Sequence, residues 1–563
     1  MKKVLPTLII LVLIGVLGVV FYKNYFVKYT YTDEKVDLNL YYEVEGEDDY
    51  PVILQDNWSE YHAKKIGEQY YLDYETVKTL LNDRFYYGEE DGELLYCLPD
   101  TRITVKEGEN AWTDSSGAAT QEQYAVCVKE GDTLYVALDF VRKFTNFSYE
   151  AFTEPNRMSI YTVWNERQES EVTRATKLRS SGGVKSKVVS EVTEGTKVAV
   201  IERMDNWSKV VTPDAMIGYI ENRKMTEPTA AAMTPVTDYQ EPEYKRTALD
   251  GKVNMVWHNI AGAAGNDTFA GRIANTQSVN VVAPTWFVVL NDTGSVEVRA
   301  TQAYVDAAHE RGMKVWAVLD NFTGPEGVQQ KFLASGEARS AVISKVVDTA
   351  LEMGIDGINV DIEGISEKYG EDFIEFVREL SIACRGAGLV LSVDNYVPYN
   401  FNNHYRLDEQ GVFADYVVIM GYDEHYAGSQ EPGSVASIGY VTYGIEEALK
   451  CVPAEKLING IPFYSRIWKT AADGVTSTAY GMNELQIFIA NHNMEVEWNA
   501  AAEQNYAEVS EDDATYQIWI EDAESIEKKL EVMQAHGIAG VAEWCLGMES
   551  ADVWTVIADY MNK

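Results

Sequence analysis

Five stretches of the chain differ in the rhythm of their apolar and polar positions. Residues 4 to 22 form an uncharged run, "VLPTLIILVLIGVLGVVFY", close to the length a helix needs to cross a bilayer. Residues 29–165 carry short runs of alternating type, such as "EQYYLDYETVKTLL" and "GDTLYVALDFVRKFTNFSYEAF", which predict a β-rich or α+β stalk-like domain. A third segment, 172–226, is better defined, with an alternating run "KVAVIE" after a turn glycine, Gly195, and reads as a separate domain. Residues 227–245 lose periodicity, hold Pro228, Pro235 and Pro242 among small and polar residues, and read as a linker.

From residue 246 to 563, strand-like runs alternate with helical ones. The predicted strands are 253–260, 279–289, 314–321, 357–363, 389–395, 416–424, 457–465 and 540–547. Between them, stretches such as "TQAYVDAAHERGM" and "EDFIEFVRELSIACRGAG" place apolar residues at helical spacing and end near a glycine stop. Strand–helix units in this number predict an α/β fold, a (β/α)8 TIM barrel. The gap before the last strand is too long for one helix, and its alternating runs predict a small α+β insertion at about 469–525.

In such a barrel the strands' C-terminal ends carry the chemistry, because the loops above vary while the strands hold position. The predicted fourth strand, "GINVDIE", places Asn359, Asp361 and Glu363 on one face and Ile358, Val360 and Ile362 on the other. A row of polar side chains pointing into a barrel is costly unless it is used or paired, so these three are the candidate catalytic residues.

Composition narrows the partners. The chain has 563 residues with 47 Lys and Arg against 88 Asp and Glu, a net charge of −41, which repels nucleic acid and anionic lipid headgroups. The 12 Trp and 36 Tyr exceed what core packing needs and suit a sugar-binding cleft. Five cysteines, at 97, 127, 384, 451 and 545, show no metal-ligand spacing; Cys97 and Cys127 could pair or remain thiols. No metal and no cofactor are called for. Lys2 and Lys3 precede the N-terminal apolar run and Lys23 and Lys28 follow it, without a small-residue cleavage site. The expectation is a membrane anchor over residues 1–28 with the rest extracellular, or a secreted chain if the segment is removed.

The motif "DGINVDIE" resembles the DGxDxDxE signature of glycoside hydrolase family 18, the chitinase-like enzymes, on the fourth of eight strands. "IMGYDEH" is similar to the family's sixth-strand MxYD, "IPFYSRIW" to its seventh-strand YGRxW with Ser465 in place of Gly, and "GVAEWCLG" to its eighth-strand end bearing Trp. The asparagine and the seventh-strand sequence look most like the bacterial cell-wall and spore-cortex N-acetylglucosaminidases. The resemblance implies Glu363 as general acid, Asp361 as the residue that orients the substrate's acetamido N–H, Tyr422 as a donor to its carbonyl, and the substrate's own 2-acetamido oxygen as nucleophile. It further implies Trp544 beneath the sugar, with Asp423, Tyr464 and Arg466 on its hydroxyls. Asn359 departs from the family's usual Asp, which can share a proton with its neighbour where Asn cannot; the expected consequence is an altered pH profile. The implied partner is an N-acetylglucosamine-containing polysaccharide, peptidoglycan or chitin-like. The alternative is a lectin-like protein on the same barrel, and retention of Glu363, Asp361 and Tyr422 favours the enzyme.

Two further resemblances bear on the N-terminal half. The order "LRS", Gly195, "KVAVIE", Trp207 and "GYI" is similar to bacterial SH3-like domains, which implies a small β-barrel, a wall-binding or spacer module, at 172–226. The run around Tyr135, Val136 and Leu138 loosely resembles the stalk-like domain of some copper amine oxidases, without a copper ligand set. His258 is expected to be a satisfied barrel residue and His425 to pack at the rim.

Overall fold

A computed structural model describes residues 4–563 apart from 235, 236, 238 and 324–329. The chain divides into two compact units, one of residues 1–85, 105–112 and 119–241, the other of residues 86–104, 113–118 and 242–563.

The second unit is built on eight parallel strands: β1 (Val253–His258), β2 (Val281–Val289), β3 (Lys314–Asp320), β4 (Gly357–Asp361), β5 (Val390–Tyr396), β6 (Tyr416–Met420), β7 (Leu457–Pro462) and β8 (Gly540–Trp544). Each pairs with its successor, and β1 pairs with both β2 and β8, so the sheet closes. Its longer helices outside the insertion are α1 (Gln302–His309), α2 (Gly336–Met353), α3 (Gly370–Ala387), α4 (Leu407–Phe413), α5 (Ile438–Ala448), α6 (Ala523–His536) and α7 (Val553–Met561). Alternation along the strands sorts the core into two layers. Met255, Trp257, Ala283, Trp316, Val318, Tyr416, Val418 and Ala542 fill the inside. Val256, Val282, Ala317, Ile358, Val360, Val393 and Val417 face the helices. Helix α2 illustrates the local rules: Ser335 accepts from the Ala338 amide at its start, and Gly354, at φ 69°, ends it in the left-handed conformation that other residues enter only with strain.

The outer wall of the barrel carries a buried ionic network. Arg378 on α3 is fully buried between Glu409 on α4, at 2.7 Å, and Glu375, at 3.3 Å. Arg339 on α2 meets Glu379 on α3 at 3.2 Å. A hairpin of residues Tyr86–Gly88 and Glu93–Cys97, distant in sequence, belongs to the same unit and completes this network. Tyr86 donates to Asp372 at 2.5 Å, Cys97 donates to Glu375 at 3.3 Å, and the following Arg102 donates to Glu379 at 3.0 Å.

Between β7 and β8 the chain makes a five-stranded antiparallel sheet in the order Gly474–Gly481, Tyr464–Ala471, Ala514–Ile520, Gln504–Glu511 and Glu495–Asn499, with a helix at Met482–Asn491. This is the α+β insertion. The run predicted as one strand over 457–465 is two. Strand β7 stops at Pro462, which has no N–H for a continuing ladder, Phe463 donates to the Trp544 carbonyl, and Tyr464 opens the insertion sheet opposite Gly481.

The first unit holds two seven-stranded sheets. One runs in the order Ser148–Phe152, Arg157–Tyr161, Asp49–Leu54, Asn57–Ile66, Gln69–Asp73, Thr133–Ala137 and Cys127–Glu130. The other, Val188–Val192, Thr176–Arg179, Ile217–Glu221, Trp207–Val211, Lys197–Arg203, Arg167–Glu171 and Thr229–Ala231, packs around Leu178, Val198, Val210, Ile217 and Ile220. Its last strand lies inside the segment read as a linker: Thr229–Ala231 pairs antiparallel with Arg167–Glu171, because that edge offers free backbone groups to the small residues that follow the domain. The N-terminal apolar helix, Val4–Phe21, continues as a wider turn to Val27, is long and apolar enough over residues 7–27 to cross a membrane, and exposes its side chains over residues 7–27. All five cysteines are free thiols.

Candidate active site

The mouth of the barrel gathers the sequence-predicted residues from three strands, β4, β6 and β8, and from the insertion. On β4, Asn359 and Asp361 face inward and are buried, and Glu363 lies just beyond the strand end, half-buried. Asn359 is fully engaged: its Oδ1 accepts from Trp257 Nε1 at 2.9 Å, and its Nδ2 donates to Ser392 Oγ at 2.9 Å and to Asp394 Oδ1 at 2.8 Å. Asp361 Oδ1 has no hydrogen-bond partner although it is buried. Glu363 is held at both ends, its amide donating to Asn321 Oδ1 at 2.9 Å and its Oε2 accepting from Tyr396 at 2.7 Å.

Tyr422 and Asp423 follow β6, and Gly421 brings them there: a side chain at 421 would meet the Asn459 amide and the Gly460 carbonyl at 2.8 Å, so only glycine lets β6 approach β7 this closely. Asp423 takes the left-handed conformation, φ 59°, and is gripped from the insertion sheet by Tyr464, at 2.6 Å, and Arg466, at 3.4 Å. Tyr464 and Arg466 therefore stand on the first insertion strand, not on a barrel strand. Trp544 closes β8, its ring centroid 6.0 Å from that of Trp257, and the Trp257 ring lies edge-on to Tyr422 at 6.4 Å. His258 faces away from the mouth, bonded to Tyr304 and Thr268, and burial holds it neutral with a pKa of about 4. His425 donates from Nδ1 to the Ser434 carbonyl at 3.0 Å and packs on Trp468.

The electrostatics are those of an acid-rich, poorly hydrated pocket. Burial, and after it the charge of Asp423, lifts the Glu363 carboxyl above its usual range against the Tyr396 hydrogen bond. Burial and then the charges of Asp394, Glu363 and Asp320 lift Asp361 well above its usual range. Both shifts run in the direction that lets a carboxyl keep its proton, as a general acid must. Burial also raises the Tyr422 phenol, as do the carboxylates facing it, so it stays a neutral donor. Among the described residues no cluster of His, Cys, Asp and Glu could hold a metal ion.

Two residues of the pocket were not singled out in the sequence: Asp320 at the end of β3 and Asp394 near the end of β5. Backbone register sets Asp320 beside Asp361, and the pairing of Val360 with Val393 sets Asp394 beside Asp361 on the other side. Their signal was present, since "KVWAVLDN" and "LVLSVDN" both end apolar strands with an inward Asp. Tyr396, the partner of Glu363, follows on the same inward face of β5.

Comparison with known proteins bears on the family and the fold. The sequence profile of the bacterial SH3 domain matches residues 174–225. The uncharacterised glycosylase YvbX of Bacillus subtilis is 26% identical over 291 residues, half of this chain and 84% of that protein. The cortical fragment-lytic enzyme of the same organism is 24% identical over 259 residues, so that the match spans 44% of this chain and only 60% of that relative. A chitinase structure from Chromobacterium violaceum superposes with a TM-score of 0.50 at 23% identity, covering 56% of this chain and all of that one, which speaks for the fold. The profile of the glycosyl hydrolases family 18 matches residues 257–549, more than half of the chain and the whole stretch from Trp257 through the β8 tryptophan, and the chain belongs to that family.

Proposed function

We propose that this glycoside hydrolase cleaves the β-1,4 bond after N-acetylglucosamine in peptidoglycan, at the outer face of a membrane that its N-terminal helix anchors. Glu363 protonates the bridging oxygen, and the acetamido oxygen of the substrate attacks the anomeric carbon, so the configuration is retained without a carboxylate nucleophile from the protein. Asp361 receives the acetamido N–H, Tyr422 donates to the acetamido carbonyl, and Trp544 supports the sugar face. Asp423, Tyr464 and Arg466 hold hydroxyls at the rim.

The observation that carries this reading is the unpartnered Asp361 Oδ1, buried next to a protonatable Glu363. A buried acceptor with nothing to accept is costly, and a ligand N–H arriving beside the acid relieves it. Peptidoglycan, rather than chitin, is favoured by the bacterial SH3 domain and the apolar N-terminal helix on the same chain, and by the relative named as a cortical fragment-lytic enzyme.

The test is to incubate the full chain, in detergent, with purified peptidoglycan and with chitin oligomers and to identify new reducing ends by mass spectrometry. The expected product ends in N-acetylglucosamine, and Glu363→Gln lowers kcat by roughly 10²–10⁴-fold while substrate still binds. Tight binding by the wild type with no new reducing end from either polymer points to the lectin-like alternative and defeats the proposal.

A further inference from the structure

The departure at Asn359 raises a question that the pocket answers. A carboxylate that receives an amide N–H must itself be free of a proton, yet Asp361 lies in a dry row of acids in which full ionisation is costly. Where the family's usual Asp could share that proton, this chain has an amide. Asn359 does not end the relay, however. Its Nδ2 is tied at 2.8 Å to a further carboxylate, Asp394, which β5 brings into the same layer.

The geometry is set by the backbone. Val318 pairs with Asn359, Asn359 with Ser392 and Val360 with Val393, so Asp320, Asp361 and Asp394 stand level on three neighbouring strands, which ordinary sheet geometry spaces about 4.8 Å apart. All three are buried, with 3–4% of their surface exposed. Asp394 spends one oxygen on Asn359, while its Oδ2 has no partner, like Oδ1 of Asp361. Two adjacent acids, each with an orphaned oxygen, satisfy each other when a single proton lies between them.

We propose that Asp394 is the proton partner of Asp361, a positioning residue that takes up the Asp361 proton when the substrate amide arrives. Asp361 then faces the acetamido N–H as a carboxylate, and the proton rests on the Asp394 carboxyl, so the pair keeps one negative charge throughout. Asn359 clamps Asp394 and cannot compete for the proton. The surrounding groups suit this role. Burial foremost, and the Glu363 charge, place the Asp394 carboxyl at about 8, against the donors Asn359 and Trp257. Asp320 adds a further acid from β3, at about 6 because of burial, Tyr422 faces the row from β6, and Ser392 lies beneath on β5. The proposal rests on the substrate-assisted reading above, but the proton itself can be observed without any substrate.

The experiment uses the full chain in detergent and three variants, Asp394→Asn, Asp394→Glu and Ser392→Ala. Infrared titration of the protonated-carboxyl stretch reads the shared proton. The wild type retains at pH 7 a protonated carboxyl that Asp394→Asn lacks, Ser392→Ala retains it although it removes the other Asn359 partner, and Asp394→Glu retains it at a shifted frequency. On a soluble chitin oligomer, Asp394→Asn lowers kcat about tenfold or more with KM within about threefold, and the alkaline limb of its pH profile reports one proton where the wild type reports two. A band unchanged in Asp394→Asn, or lost equally in Ser392→Ala, overturns the assignment. A wild type that cuts no N-acetylglucosamine glycan overturns the substrate reading instead, and the band still decides the pair. Should Asp394→Asn fail to fold, Asp394→Glu decides: an unshifted band is fatal.

Discussion

Asn359→Asp restores the residue usual in the family at almost no change in volume, and the structure says what it does here. The Nδ2 that donates to Ser392 and Asp394 becomes an oxygen, which sets oxygen against oxygen at the 2.8 Å that now separates Asn359 Nδ2 from Asp394 Oδ1. Two unit charges at that separation repel by about 6 kcal/mol at an effective dielectric of ~20, equivalent to roughly four pH units. The variant escapes by binding a proton, which turns the clash into an O–H···O hydrogen bond. The sign follows from linkage. The new carboxyl has its folded pKa raised above the unfolded value of about 3.9, so the native state holds a proton that the unfolded chain has released. Stability is therefore close to wild type below about pH 4 and falls as pH rises from there toward the raised pKa, by up to ~1.4 kcal/mol per pH unit. Denaturant unfolding followed by near-ultraviolet circular dichroism, at several pH values for both proteins, measures the difference. The pH–rate curve of the variant also shifts, since a further acid joins the row. A stability difference that stays constant from pH 5 to 9, or a pH–rate curve that does not move, refutes the reasoning.

Two further outcomes test other parts of the molecule. Tyr396→Phe removes the hydrogen bond that opposes the upward shift of Glu363, so the acid holds its proton to higher pH and the alkaline limb of kcat/KM moves up; an unmoved limb detaches Tyr396 from the acid. Arg378→Met takes away the buried cation between Glu375 and Glu409 and destabilises the barrel by about 3–5 kcal/mol in urea unfolding, the usual consequence of breaking a buried pair on one side; a loss below about 1 kcal/mol shows that the network carries little.

What the sequence determined by itself was whatever depends on local period and on residue spacing. Strand alternation sorted Asn359, Asp361 and Glu363 from Ile358, Val360 and Ile362, because side chains two apart on a strand share a face in any environment. Eight such runs with helices between them left little choice but a closed barrel, and the insertion before the last run followed from its length. The same local reasoning read "LINGIPFYS" as a single strand where the structure has two, since the end of β7 depends on a lone proline and on a pairing between Tyr464 and Gly481 that only the folded insertion supplies.

Tertiary structure alone decided which distant residues share the pocket and in what state. That Asp320 and Asp394 stand level with Asp361 is a matter of register between strands, and register is fixed by the fit of whole faces around the barrel. The hairpin at residues 86–97, more than 150 positions before the barrel begins, joins the network of α3 because buried charges there need its donors, a demand written in no single segment. The protonation of the acids is likewise a property of the assembled site: a carboxyl's charge is stabilised by water, and only folding removes the water and places like charges side by side.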